Sequence, residues 1–202
     1  MVIGLPPVSS MDVIRLVGVA AESLQRKWRR QPQPTDDRQH NNPGSSLFSR
    51  RKRGTSRQGL GRSKGDFTTK IHLRINALGL PIAVALTGGE ASDFKGYMPV
   101  MDADGPAPKV LLADKGYDAD FIREDMERRG GTAMIPTKRN RLIQLPVDAA
   151  IYALRNRVER CFNKLKNARR LATRYDNTAD SYLGFIHIVS IRLWTRQFVN
   201  AS

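Results

Sequence analysis

Residues 151–166 read IYALRNRVERCFNKLK. Five of these sixteen side chains are Lys or Arg, and a single acid, Glu159, stands among them. The stretch holds no Gly or Pro and is rich in good helix formers, so a helix is expected. At about 100° per residue, Tyr152, Arg155, Glu159 and Lys166 fall within an arc of roughly 60°. Leu154, Val158, Cys161 and Leu165 cover a neighbouring face that suits a core. The plain reading is a solvated helix with an Arg155–Glu159 pair worth only a few tenths of a kcal/mol. The sharper reading is a carboxylate set among phosphate-binding cations, as a metal ligand in a phosphodiester site would be.

A second acid fits the sharper reading. KVLLA, residues 109–113, is a continuous apolar run of the kind buried on both faces of a sheet. It delivers Asp114 at its carboxyl end, where ligand sites gather in open α/β sheets. Gly116 then allows a sharp turn. Taken alone, Asp114 reads equally well as a turn residue. Together, Asp114 and Glu159 would offer oxygen ligands to a hard divalent cation, which suits magnesium. Their carboxylates are expected within about 4–8 Å, close enough to share one metal or flank a pair.

The elements that must position these acids follow from periodicity. DFTTKIHLRI alternates and is β-branched, NALG turns, and LPIAVALT returns as an antiparallel strand. A short helix is expected over residues 95–103, then the KVLLA strand. DADFIREDMERRG reads as a helix with Asp118 as N-cap and Gly130 as its stop. TAMIP is a short strand, TKRNRLIQLP a basic loop, and one helix is expected from about Asp148 to Ala172. A final apolar helix follows. The order is that of a mixed α/β sheet with flanking helices. Residues 1–57 form a separate, poorly ordered segment by composition, with one weak helix over 11–30, and 58–202 form the catalytic-type domain.

The formal net charge of +15 points to a polyanion, most directly nucleic acid. One cysteine, Cys161, excludes a disulfide framework and a Cys-rich zinc site. His40, His72 and His187 match no metal spacing, and His72 reads as a sheet residue. No apolar run approaches a membrane span, and the first residues lack a signal-peptide pattern, so a cytoplasmic, nucleoid-associated chain is expected.

The spacing Tyr152-x2-Arg155-x3-Glu159-x6-Lys166 resembles the signature of bacterial insertion-sequence transposases of the DDE class. The blocks GLGRSKGDFTTKIH, LTGGEASD, LLADKGYDAD and RNRVERCFNKLKNARRLATRYD are similar to that family's, in the same order, over about residues 58–198. The resemblance implies an RNase H-like fold. It also implies Mg2+ (or Mn2+) held by three acids, and cleavage and transfer of DNA strands at transposon ends into target DNA, by a homo-oligomer. Asp114 would be the second acid and Glu159 the third. Arg155, Lys166, Arg62 and Lys64 would contact phosphates, and Tyr152 would position or stack on DNA.

The first acid has no match. The family places it on the first, central strand, upstream of the GRSKG block, where this chain reads TDDRQHNNPGSSLFSRRKRG. One choice of codons for Asp37–Ser46, read in the neighbouring frame, gives Ile-Asp-Asn-Ile-Thr-Ile-Arg-Ala-His, close to the family's block. The expectation is a truncated or frameshifted copy whose first central strand is missing or degraded. Asp36 and Asp37 are substitute acids of low weight, Asp66 a loop residue, and Asp93 more structural than catalytic. The alternative to an active transposase is a remnant that binds DNA without cutting. A basic RNA binder of other origin is disfavoured, because it gains nothing from Glu159.

Overall fold

The KIHLRI segment pairs as the alternation requires. In the computed structural model, which describes residues 16–25, 58–62 and 67–200, β3 (Phe67–Ile75) runs antiparallel to β4 (Pro81–Gly88). The turn between them is closed by Asn76, whose side chain accepts from the N–H groups of Leu78 and Leu80. Gly79 takes the left-handed backbone there, with φ of 76°. A two-residue strand, β2 (Gly61–Arg62), extends the β4 side of β3.

The slot beside β3 holds a finding against expectation. Residues Leu16–Gln25 form a strand, β1, where a weak helix was expected. β1 pairs antiparallel with β3 and parallel with β5 (Val110–Ala113), so it takes the central position in the sheet. The physical reason is pairing: LVGVAAESLQ has mixed propensity on its own, but the open edges of β3 and β5 each present a row of backbone groups that only a strand satisfies. A parallel strand, β6 (Thr132–Met134), completes the order β2-β3-β1-β5-β6, with β4 also on β3.

Each face of the sheet carries its own core. On one, Ile71, Leu73 and Ile75 of β3 pack with Val158, Cys161 and Leu165 of helix α4 (Asn156–Lys166). Leu171 of α5 (Arg169–Ala172) and Tyr182, Ile186 and Val189 of α6 (Ala179–Asn200) join them. On the other face, Leu111 and Ala113 pack with α1 (Tyr97–Met101) and α2 (Asp120–Arg128). β3 shows its alternation clearly, because the residues between its core positions are Lys70, His72 and Arg74. All three are roofed by the segment 91–117: Lys70 bonds Ala91 O and Asp93, His72 meets Tyr117, and Arg74 donates to the carbonyls of Val100, Met101, Ala103 and Pro106.

Two expected helix features are corrected. Asp118 does not cap α2, because Ala119 holds the N-cap position and no side chain caps it. The buried Asp118 carboxylate instead accepts from Arg123 (2.9 Å), Arg141 (3.2 Å) and the backbone N–H of Lys138 (2.8 Å), pinning the basic loop after β6. Burial alone would raise its pKa, but the Lys138 N–H and the two guanidinium groups hold it below the usual carboxylate range. Three charge-assisted bonds outweigh the single N–H bond of a cap. Gly130 does end α2, with φ of 72°. The second correction is the helix expected from Asp148 to Ala172. Asp148 caps it as expected, accepting from Ala150 and Ile151, but it breaks into α3 (Ala149–Ala153), α4 and α5.

Candidate active site

Asp114 stands one residue beyond β5, at the strand's carboxyl end as expected. Its Oδ1 accepts from the N–H of Gly116 at 2.9 Å, which starts a short 3-10 turn, Lys115–Tyr117. Gly116 is not in the left-handed region, so the turn does not need its freedom. It needs its missing side chain: a Cβ there would lie 2.5 Å from Asp93 Oδ2 and 2.9 Å from Asp114 Oδ1. Two carboxylates therefore face one another across that glycine. Asp93, expected to be structural, is tied to Lys70 at 2.8 Å and is also the acid that meets Asp114. Burial raises the pKa of Asp114, the Gly116 bond lowers it, and the charge of Asp93 raises it further.

The second half of the site lies at the α3–α4 break. The N–H groups of Leu154, Arg155, Arg157 and Val158 donate to carbonyls three residues back, which is 3-10 winding. At 3.0 residues per turn, Tyr152 and Arg155 eclipse one another. Arg155 accordingly lies over the Tyr152 ring, 5.6 Å from its centroid. It also donates to Glu159 Oε1 at 2.5 Å. Both acids act on this corner electrostatically. Burial raises the pKa of the Tyr152 phenol, Arg155 lowers it, and Asp114 and Glu159 raise it. Arg155 likewise lowers that of Asp114. The guanidinium is thus paired with the α4 acid and within electrostatic reach of the β5 acid.

The remaining candidates divide. Lys166 ends α4 half-buried, three turns and about 16 Å along the axis from Arg155, too far to share one phosphate with it. Arg62 ends β2, its backbone opposite Phe67. Lys64, Asp36, Asp37, Asp66 and His40 lie outside the described residues. His72 is a buried sheet residue, bonded to the Tyr117 and Thr87 hydroxyls. β1 contributes one acid by register, Glu22, opposite Ile71, while the last β1–β5 pair is Val19 with Ala113.

Magnesium would need oxygen ligands that are free to turn toward it. Here Asp93 is bound to Lys70 and Glu159 to Arg155. Among the described residues, no three acids, histidines or cysteines converge as a metal site. The donor chemistry is right, but two cationic side chains already hold its charge, so the described residues do not complete the centre that the resemblance implies.

Residues 29–194 match the model of the family described as the transposase DDE domain. The chain belongs to that family. It is 32% identical over 130 residues to a protein named as a putative transposase for insertion sequence element IS6501 from Brucella ovis, covering 64% of this chain and 99% of that relative. It is 28% identical over 202 residues to the putative transposase for IS402 of Burkholderia cepacia, covering 91% of this chain and 89% of the relative. A solved strand transfer complex of Mos1 is similar at a TM-score of 0.34 and 13% identity, over 89% of this chain and 53% of that one, so the transposase spans about half of the solved chain's length. The reading of the sequence as that of an insertion-sequence transposase therefore stands. No described helix of this transposase is long and apolar enough to cross a membrane.

Proposed function

We propose that this transposase binds the DNA of its element through the Tyr152–Lys166 face, and that Asp114 and Glu159 are two of the acids for metal-dependent strand cleavage and transfer. The observation that carries the reading is Arg155, stacked on Tyr152, paired with Glu159 and acting on Asp114. The order of the five main strands, with β1 central, supports an RNase H-like arrangement of these acids. The Arg155–Glu159 pair is an exposed i,i+4 contact, worth at most about 1 kcal/mol. A backbone phosphate offers Arg155 stronger, bidentate bonds. Arriving DNA therefore takes Arg155 from Glu159 and releases that carboxylate toward the scissile region, with Tyr152 as the surface on which a base stacks.

A second reading, a DNA-binding remnant that does not cut, is favoured by one observation: Glu159 and Asp93 are each held by a cation, Arg155 and Lys70. Binding separates the parts. By fluorescence anisotropy on a labelled duplex, Arg155→Ala weakens binding about 3- to 10-fold, while Glu159→Gln leaves it unchanged or tightens it, because it removes a negative charge facing phosphate. Weaker binding by Glu159→Gln together with no effect of Arg155→Ala overturns the proposal.

A further inference from the structure

The α4 helix has three faces, and the site uses only one. Its core face holds Val158, Cys161, Phe162 and Leu165, all buried. Its site flank holds Arg155 and Glu159. With Arg155 at zero and about 100° per residue, Asn163, Asn156 and Asn167 project near 80°, 100° and 120°, and Arg160, Lys164 and Arg157 near 140°, 180° and 200°. The three asparagines form the outward crest. All are exposed, and their amides have no partner among the described residues. Asn163 stands mid-helix, where Asn is a poor helix former, so helix stability does not explain it.

The three cations form the far flank. They line a cleft of about 260 Å3 with the turn residues Ala77, Leu78 and Gly79, and no acid lines it. Arg157 is anchored there by donating to Ala77 O. Arg160 and Lys164 have no acid partner among the described residues. Like charges three and four residues apart on a helix repel. Such a cluster is explained by an anion that neutralises it from outside.

We infer that α4 enters a DNA major groove, with Asn156, Asn163 and Asn167 reading base edges and the Arg157–Arg160–Lys164 cleft gripping the phosphates of the groove wall away from Glu159. This rests on the DNA-binding reading above and adds to it a source of sequence preference and a second phosphate track. The dimensions agree. A helix with its side chains is about 10–12 Å across and the major groove about 12 Å wide. Cations on both flanks of the helix then meet both walls. The crest faces the bases, where a carboxamide pairs in bidentate fashion with adenine N6 and N7. At 1.5 Å rise, the crest residues are separated by about 10 Å and 6 Å, close to three and two base-pair steps.

The experiment uses the full chain and a random 30-base-pair duplex pool, enriched on the unaltered protein and sequenced, with binding then measured by anisotropy across a salt series. The expected result is an enriched motif with adenines spaced close to three and two steps, bound at least tenfold more tightly than the starting pool. The combined Asn156→Ala, Asn163→Ala, Asn167→Ala variant should lose that preference to within twofold while keeping its affinity for the starting pool. The combined Arg160→Ala, Lys164→Ala variant should weaken binding to every sequence and reduce the slope of log affinity against log salt by about 2. Circular dichroism confirms that each variant is folded, and for a misfolded set the single Asn163→Gln and Arg160→Gln changes replace it. Preference retained without the asparagines, no enriched motif, or an unchanged salt slope overturns the inference alone. Failure of the unaltered chain to bind any duplex at low salt overturns it together with the DNA-binding reading.

Discussion

His72 makes the fold sensitive to mild acid. Its ring is fully buried, with Nδ1 3.1 Å from the Tyr117 hydroxyl and Nε2 2.7 Å from the Thr87 hydroxyl. A neutral ring donates at one nitrogen and accepts at the other, and hydroxyls satisfy either arrangement. A charged ring lacks water and has Lys70 nearby. Burial lowers its pKa from 6.5 to about 4, the charge of Asp93 opposes that shift and Lys70 adds to it. Because the folded value is depressed, the stability is present above pH 6.5 and is lost as pH falls toward 4, where the unfolded chain takes up the proton first. With 1.36 kcal/mol per unit, the loss is about 2 kcal/mol at pH 5 and about 3 kcal/mol at pH 4. The acids held below their ordinary range, Asp118 and Asp125, lose their contributions only as pH falls below about 4; Asp114, whose pKa burial raises, works the opposite way in the window above, so the comparison with a His72 variant isolates the ring. Urea unfolding at pH 7, 6, 5 and 4 measures this, and His72→Gln should be less stable at pH 7 but nearly flat from pH 6.5 to 4.5. If the unaltered chain and His72→Gln show the same slope in that window, the ring is not the group that titrates.

Two further perturbations test the packing that supports the site. Arg74 is buried without an acid partner among the described residues and donates to four carbonyls at and beyond the end of α1; Arg74→Met should cost about 3 kcal/mol and lower Tm by roughly 6–12 °C, and a loss below about 1 kcal/mol by thermal unfolding would show that the carbonyls find other donors. Arg174 is buried against the Tyr182 ring and donates to Gln58 O at 2.8 Å and to Thr69 at 2.5 Å; Arg174→Ala should speed amide hydrogen exchange over residues 58–61 at least tenfold and leave 120–128 unchanged, and uniform acceleration would mean global destabilisation instead.

The parts of the fold visible in the sequence are those written in a local period. The β3–β4 hairpin alternates, VLLA is apolar throughout, and Asp148 is a ready N-cap, so each is found where the residues put it. What was not visible depends on distant partners. Leu16–Gln25 pairs with β5, far along the chain, and nothing in LVGVAAESLQ records that edge. Asp118 finds Lys138 and Arg141, twenty and more residues away, in place of the N–H groups beside it. The break at Leu154–Arg155 falls in a stretch with no Gly or Pro, and only its hydrogen bonds reveal it. In the candidate site, the placement of Asp114 just beyond β5 and of Tyr152, Arg155 and Glu159 along one helical stretch was legible from type and spacing. The approach of Asp93 to Asp114 was not, because it depends on the space left by Gly116 rather than on any turn signal.

The most direct test of the account is a magnesium-dependent nicking assay on duplex carrying the ends of the insertion sequence, comparing this chain with a version whose upstream reading frame is restored to the Ile-Asp block. Both should bind the duplex, and only the restored chain should cut it, with Asp114→Asn or Glu159→Gln abolishing that cutting. Equal cutting by the unrestored chain, abolished by Asp36→Asn or Asp37→Asn, would contradict the account, because the first acid would then be one of those two substitutes and no frame restoration would be needed.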